Sequence, residues 1–387
     1  MQQLAGSVRA GDLPLAGCRV IERSRSVAAA YAGRLLAAMG AEVTMLEPEG
    51  GSPLRQAAPL LPDGESGLFA YLAVGKRSQV CDLANDSGRR QLDEALSKTD
   101  IFIDDTPVKE RDALDLTAES VARRHPHLIH VSVLPFGASG PKADWEGEEV
   151  NLIHASGEGY LLPNGLTAER FPDRPPLKIY GHFANYQGGA MAVLSALSAW
   201  WAAPTVGGQY VDVSVQDAAL AVGCFALQRL GDGSLEHRNT RSFRYGGVFE
   251  TRTGHIELLT LEDRQWASLV ELLGHPEWSQ DPALMDPLER SRRGAEINQH
   301  IREWMAQHDA DDVVQRAQKL GVPVGKYRLP EEVFHGEQER ARNLFAPATL
   351  SNGKEAEILL APFQFHLSPL QGGGRVPAVG EHGGMES

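Results

Sequence analysis

Asn185 stands in the stretch GHFANYQGGAMAVLSAL, residues 181–197, where the chain enters an apolar helical run. Helix entries present free N–H groups and the positive end of the helix dipole to an anion or an acyl group. A polar side chain there has two readings: a helix cap, which Asn makes well, or a group facing a ligand beside those N–H donors. The small residues Ala184, Gly188, Gly189, Ala190 and Ala192 would let another backbone or a flat ligand come close. Two adjacent carboxylates, Glu148 and Glu149, precede a second helical run in EGEEVNLIHASG. Acidic residues stabilise a helix N-terminus in any case. Neighbouring side chains on a helix point in different directions, so these two do not make a paired-carboxylate site together. The thirteen histidines are scattered, with no His-x-x-x-His pair beside a third ligand, so no metal is implied. The three cysteines, Cys18, Cys81 and Cys224, show no Cys-x-x-Cys spacing, which argues against a disulfide framework or a structural zinc.

The elements that must position these groups follow an alternating pattern. CRVIERS (18–24), AEVTMLEPE (41–49), QVCDLAN (79–85), DIFIDD (100–105), LIHVSVL (128–134) and GQYVDVSV (208–215) read as strands. Helical patterns at 27–40, 87–99, 117–125, 183–203 and 216–230 lie between or after them. Strands alternating with helices predict an α/β fold with a parallel sheet. No Gly-x-Gly-x-x-Gly separates the first strand from its helix, where the turn reads RSRSVAA, so a dinucleotide site is not supported despite Glu47 at the end of the second strand. GGVFETRTGHIELLTL (246–261) reads as a hairpin turning at Thr253–Gly254, followed by helices near 263–274, 295–308 and 310–319. The division predicted is a large domain over 1–225, a smaller α+β domain over 226–325, and a return segment over 326–387.

At 387 residues, 42% of them hydrophobic, the chain is long enough for two or three packed domains. A net charge of −14 without a basic run argues against nucleic acid or an anionic membrane as partner. The apolar stretch 183–203 is long enough to span a membrane, but its Asn, Gln and Ser content favours a buried helix of a soluble core. The N-terminus lacks a basic region followed by an apolar core, which predicts a cytoplasmic location.

Six segments, taken in order, resemble the class III CoA-transferases, the CaiB/BaiF family. They are LPLAGCRVIERSRSVAAAYAGRLLAAMGAEVTMLEPEGGSPLR, GKRSQVCDL, HPHLIHVSVLPFGASGP, GQYVDVSVQDAAL, GVPVGKYRLPEEV and GEH, spread from Leu13 to His382. Members of this family include formyl-CoA transferase and α-methylacyl-CoA racemase. The resemblance implies a Rossmann-like large domain, a small domain, and two chains interlocked as rings. It implies acyl-CoA and a carboxylic acid as substrates, with coenzyme A bound. Lys76 and Arg77 on the GKRS turn could then pair with its phosphates, or form a solvated basic turn. Arg25, on the first strand–helix turn, could do the same or form a surface ion pair. Phe136, Gly137 and Gly140 follow a strand end, where ligands collect in parallel sheets, though a tight turn alone would look alike. Arg244, Tyr245 and Gly246 could close over the acyl end. Tyr160, Phe183, Tyr186, Phe243 and Tyr245 are candidate walls, although such residues more often belong to the core.

The departures are as informative. The transferases carry an Asp where this chain has Asn185, and that Asp attacks the thioester. An amide oxygen is a far weaker nucleophile and its nitrogen lone pair is tied up in resonance. A racemase His corresponds to Glu148, and the next family position, usually Asp or Glu, is Glu149. The Ala-Gly-Pro of the transferases is Ala28-Ala29-Ala30 here, and a catalytic Gln of formyl-CoA transferase corresponds to Val27. The glycine loop near 241–247 is not recognisable, and the usual C-terminal helix after GEH is not expected. Three readings follow. The chain is a subunit paired with a homologue that keeps the Asp, as in heteromeric members such as benzylsuccinate CoA-transferase. Or it is a racemase-, isomerase- or hydratase-type enzyme using Glu149 as base and Asn185 as oxyanion donor. Or it binds acyl-CoA without turnover.

Overall fold

The computed structural model describes residues 13–162, 173–175, 177–223, 245–368 and 370–383. The first half builds a six-stranded sheet in the order β3-β2-β1-β4-β5-β6. Its strands are β1 (Arg19–Arg23), β2 (Glu42–Glu47), β3 (Arg77–Val80), β4 (Ile101–Asp104), β5 (Ile129–Leu134) and β6 (Tyr210–Ser214), and every neighbouring pair is parallel. Parallel crossovers cover both faces with helices. That explains why β4 and β5 are buried along their whole length. The chain runs outward from β1 to β3 and then returns beside β1 as β4. The carboxyl ends of β1 and β4 therefore flank the switch point at which doubly wound sheets bind ligands.

Besides a four-residue turn of helix at Val108–Arg111, the helices between these strands are α1 (Val27–Ala38), α2 (Gly67–Ala73), α3 (Asp86–Leu96) and α4 (Ala118–Arg124). The strand expected over 79–85 stops at Val80. Asn85 caps α3 instead, accepting the Gly88 N–H at 2.8 Å, and a capping side chain competes with continued strand pairing. After β5 come α5 (Glu149–Ala155) and the 24-residue α6 (Phe183–Val206), then α7 (Val215–Val222) behind β6.

The long apolar helix is not buried all round. Ala184, Gly188, Gly189, Ala192, Val193, Ala196 and Ala199 are buried, while Leu194 is 60% and Trp201 86% exposed. By length and composition α6 could cross a membrane, but it lies mid-chain and its small residues pack on α1. A Cβ placed on Gly189 would lie 2.6 Å from the Ala28 carbonyl oxygen. The helix approach depends on that missing carbon.

Two compact units divide the described residues. Among the described residues the first lies within 13–159, 178–223 and 337–383, the second within 160–177 and 245–336. In the second, β7 (Gly247–Thr251), β8 (Gly254–Leu258) and β9 (Val324–Lys326) form an antiparallel sheet. It packs with helices Asp263–Leu272, Gly294–Met305 and Ala310–Leu320 around Phe249, Ile256, Trp266 and Ile301. Because β9 closes this sheet, the start of the expected return segment belongs to the second unit. In the first unit the returning chain forms β10 (Phe345–Thr349), β11 (Glu355–Leu359) and β12 (Gly374–Arg375). The GEH motif ends on β3, where the Ser78 N–H donates to His382 Nδ1 at 3.2 Å.

Candidate active site

The N-terminus of α6 has no side-chain cap of its own. Glu149 supplies the acceptor from α5. Its Oε1 accepts the Ala184 N–H at 2.8 Å, and its Oε2 accepts the Asn185 N–H at 3.1 Å. The Asn185 side chain then donates through Nδ2 to the same Oε2 at 2.8 Å. A buried carboxylate thus holds two free N–H groups of the helix and the amide beside them. Asn185 does not cap its own helix. Its amide is clamped by the nitrogen, which turns Oδ1 away from Glu149. Glu148 is exposed and points elsewhere, its backbone N–H donating to Asn151 Oδ1 at 3.0 Å. The two glutamates therefore diverge, one inward and one to solvent.

At the switch point the turn after β1 is held by a carboxylate. Asp105 Oδ2 accepts the Arg25 N–H at 2.7 Å and the Ser26 N–H at 2.6 Å. Ser26 caps α1, and Val27 and Ala28 are buried in its first turn. An acidic side chain occupies the N–H groups that a dinucleotide pyrophosphate would need. Burial pushes the Asp105 carboxyl up from its ordinary value, partly opposed by the Arg25 and Ser26 N–H groups. For neighbouring Asp104, burial acts the same way, but the His130 hydrogen bond and charge, with Arg111 and Arg23, hold its carboxyl down at about 2. The Arg25 guanidinium lies outward, 3.4 Å from Glu110. Such an exposed pair is weak and exchangeable.

Lys76 and Arg77 separate. Arg77 is exposed at the start of β3. Lys76 is buried, its Nζ 2.6 Å from Glu22 Oε2 and donating to the Ala30 carbonyl at 2.8 Å. Burial pushes the Lys76 ammonium down and the Glu22 carboxyl up, while each partner opposes the shift of the other. A phosphate could reach Lys76 only by displacing Glu22, so the expectation of a free phosphate ligand does not match this geometry. Glu47 is likewise committed, to Arg55, Ser78 and the Ser52 N–H.

The loop after β5 is pinned to β6 by Asp212, which accepts the Ala138 N–H at 2.8 Å. Gly137 and Gly140 both adopt positive φ, a turn requirement. Half-buried Phe136 packs edge-on to Trp145, and Lys142 Nζ lies 5.4 Å from its ring centre. Of the candidate walls, Tyr186 packs on Tyr31 with ring centres 4.7 Å apart, and Tyr71 completes the cluster. The Tyr186 hydroxyl is pushed up to about 12, chiefly by burial and then by Tyr31 and Glu149. Tyr245 belongs to the core of the second unit, against Trp266, and the Gly246 N–H donates to Asn298. Phe183 is half-buried at the start of α6 and Tyr160 is exposed. Phe243, Arg244 and most of the loop near 241–247 lie outside the described residues.

A model of CoA-transferase family III matches residues 15–383, nearly the whole chain. The chain belongs to CoA-transferase family III. The succinate–glutarate CoA-transferase of Agrobacterium fabrum is 30% identical over 392 residues, covering 95% of this chain and 94% of that protein. A probable CoA-transferase of Mycobacterium tuberculosis is 31% identical over 328 residues, 83% of this chain. This chain spans only 40% of that longer relative. Among solved structures, a CaiB/BaiF family protein from Brucella suis superposes with a TM-score of 0.83 at 26% identity, covering 96% of this chain and 97% of its own. The Rossmann-like sheet and the antiparallel sheet of the second unit are the α/β architecture expected of a family III transferase.

Sequence reasoning missed the role of Asp105 and the burial of Arg34. The first had a signal in the paired Asp at the end of FIDD. Arg34 is the single charged residue of a helix that is otherwise Ala, Gly, Leu, Val and Tyr, and every residue of that helix is buried.

Proposed function

We propose that this chain acts on acyl-CoA thioesters as one subunit of a heteromeric CoA-transferase, with a homologous partner supplying the nucleophilic Asp. The observation that carries this reading is the amide at position 185, tied through Nδ2 to Glu149 at the N-terminus of α6. Where the family resemblance expects a carboxylate to attack the thioester carbon, this chain has a weak nucleophile held by its nitrogen. The same geometry disfavours Glu149 as a base. Its acceptor capacity is largely spent on three donors, and it positions the helix and the amide.

Further support is distributed. Leu194, Trp201 and Val206 on α6, with Val222 on α7, are exposed apolar side chains, and a second chain would cover at least the Leu194–Trp201 face. An interlocked dimer, homo- or heteromeric, would use such a surface. The M. tuberculosis relative leaves more than half of its length unmatched by this chain. For the CoA end, Arg25, Arg77 and Phe136 remain the proposed contacts, with Arg25 free to exchange Glu110 for a phosphate, while Val27, Ala28 and Gly137 are buried and shape the turns behind them. Lys76 joins the contacts only if Glu22 gives way. The carboxylic acid is proposed to be a dicarboxylate, because relatives are named for succinate and glutarate, for oxalate, and for D-citramalate.

The chain alone, mixed with an acyl-CoA and a free acid, will show no CoA transfer. Intact-mass analysis will show no acyl adduct that hydroxylamine removes. Asn185→Asp will not restore transfer. Its new carboxylate would sit at hydrogen-bond distance from Glu149, where one of the two must hold a proton. Val27 and the altered turn would also remain. Transfer by the chain alone, or robust transfer by the single variant, contradicts this reading.

A further inference from the structure

α1 carries a cation that no described residue neutralises. Arg34 is 3% exposed, and its Nε and Nη2 are buried with no hydrogen-bond acceptor among the described residues. These two nitrogens form one edge of the guanidinium, the edge that grips a planar carboxylate with two parallel bonds. A buried charge without a counter-charge is strongly disfavoured, and Arg cannot shed its proton to escape. An anion at that edge would supply the missing acceptor and counter-charge together.

The surroundings say where that anion would lie. The Arg34 guanidinium carbon is 6.0 Å from the centre of the Tyr71 ring. Tyr71 stacks on Tyr31, and Tyr31 meets Tyr186 edge to face. Tyr186 follows Asn185 directly, and the Glu149 charge is felt at its hydroxyl. The unpaired guanidinium and the Asn185–Glu149 clamp are therefore joined by one aromatic cluster. Lys76, the other buried cation nearby, is already satisfied by Glu22. Tyr71 and Tyr186 are only half-buried, so rotation of one ring can open a way to the Arg34 edge.

We propose that Arg34 binds the remote carboxylate of a dicarboxylic acyl group, with Tyr31, Tyr71 and Tyr186 enclosing the carbon chain that links it to the thioester near Asn185. The proposal rests on the reading of this chain as an acyl-CoA-binding family III protein and adds the residue that selects the acyl group. It does not depend on which subunit supplies the nucleophile.

The test is calorimetric titration of the full chain, alone and in the complex isolated with it, using glutaryl-CoA and pentanoyl-CoA. These probes share a five-carbon acyl chain and differ in the terminal carboxylate. Wild type is expected to prefer glutaryl-CoA by about 10- to 100-fold, the range for a charge-assisted bidentate contact. Arg34→Gln should abolish the preference while leaving pentanoyl-CoA affinity within about twofold. Arg34→Lys, which keeps the charge and loses the fork, should retain part of it and serves if the Gln variant does not fold. An unchanged preference in the variants overturns the assignment, as does an equal loss for both thioesters. Dissociation of the complex by Arg34→Gln with the preference intact also overturns it and gives the guanidinium to a side chain of the partner. If wild type binds pentanoyl-CoA without preference, only this inference fails. If it binds neither thioester, the acyl-CoA reading fails with it.

Discussion

Glu149 illustrates how far a single carboxylate can be committed before any substrate arrives. It accepts two backbone N–H groups and one amide N–H, all at the entry of α6. Glu149→Ala leaves these donors buried without a partner and should lower stability by about 1–3 kcal/mol in urea unfolding. Glu149→Gln keeps the shape but turns an acceptor into a donor, and should fall between. Full stability in Glu149→Ala would show that the clamp is not structural. At this scale the sequence was partly legible. The divergence of Glu149 from Glu148 followed from helix geometry, whereas the burial of Glu149 against the entry of α6 needed the fold. The pairing of Lys76 with Glu22 did not, because the partners are 54 positions apart and only the fold brings them together. The isolation of Arg34 was equally hidden. A cation in an apolar helix signals something unusual, but whether it has a counter-charge depends on the packing.

At the scale of elements, the contact between α1 and α6 places Tyr31 beside Tyr186 and sets the spacing on which the site depends. Gly189 makes that contact possible. Gly189→Ala gains helix propensity of about 1 kcal/mol, yet its new Cβ would press on the Ala28 carbonyl at 2.6 Å. Backbone cannot swing aside as a side chain can, so overpacking should win by about 1–3 kcal/mol. The thermal midpoint should fall by several degrees, and an unchanged or raised midpoint would mean the helices have slack. The small residues of this stretch already indicated a close approach in the sequence, without naming what approaches. The alternating strands and helices of the main sheet were legible because their patterns are long and their caps are strong. The return strands β10, β11 and β12 were not. They are short, they lie among Gly- and Pro-rich turns, and their pairing partners are set by tertiary contacts.

For the whole molecule, the chain leaves its first compact unit after Gly159, returns by Lys178, and leaves and returns again around the second unit. Composition and length predict more than one domain, but a boundary depends on which strand closes which sheet. The predicted edge at 325 moved to 336 because β9 pairs with β8. The outer face of α6 belongs to this scale too. Trp201 at 86% exposure and Leu194 at 60% serve no core among the described residues. They are accounted for if the functional particle contains another chain, and the amide at position 185 is accounted for if that chain carries the missing carboxylate.

The most direct test of that claim is the native mass of the particle isolated through a tag on this chain from the organism that makes it. The account predicts two different subunits of similar size, the second a family III homologue with Asp at the position of Asn185. A particle made only of copies of this chain would contradict it.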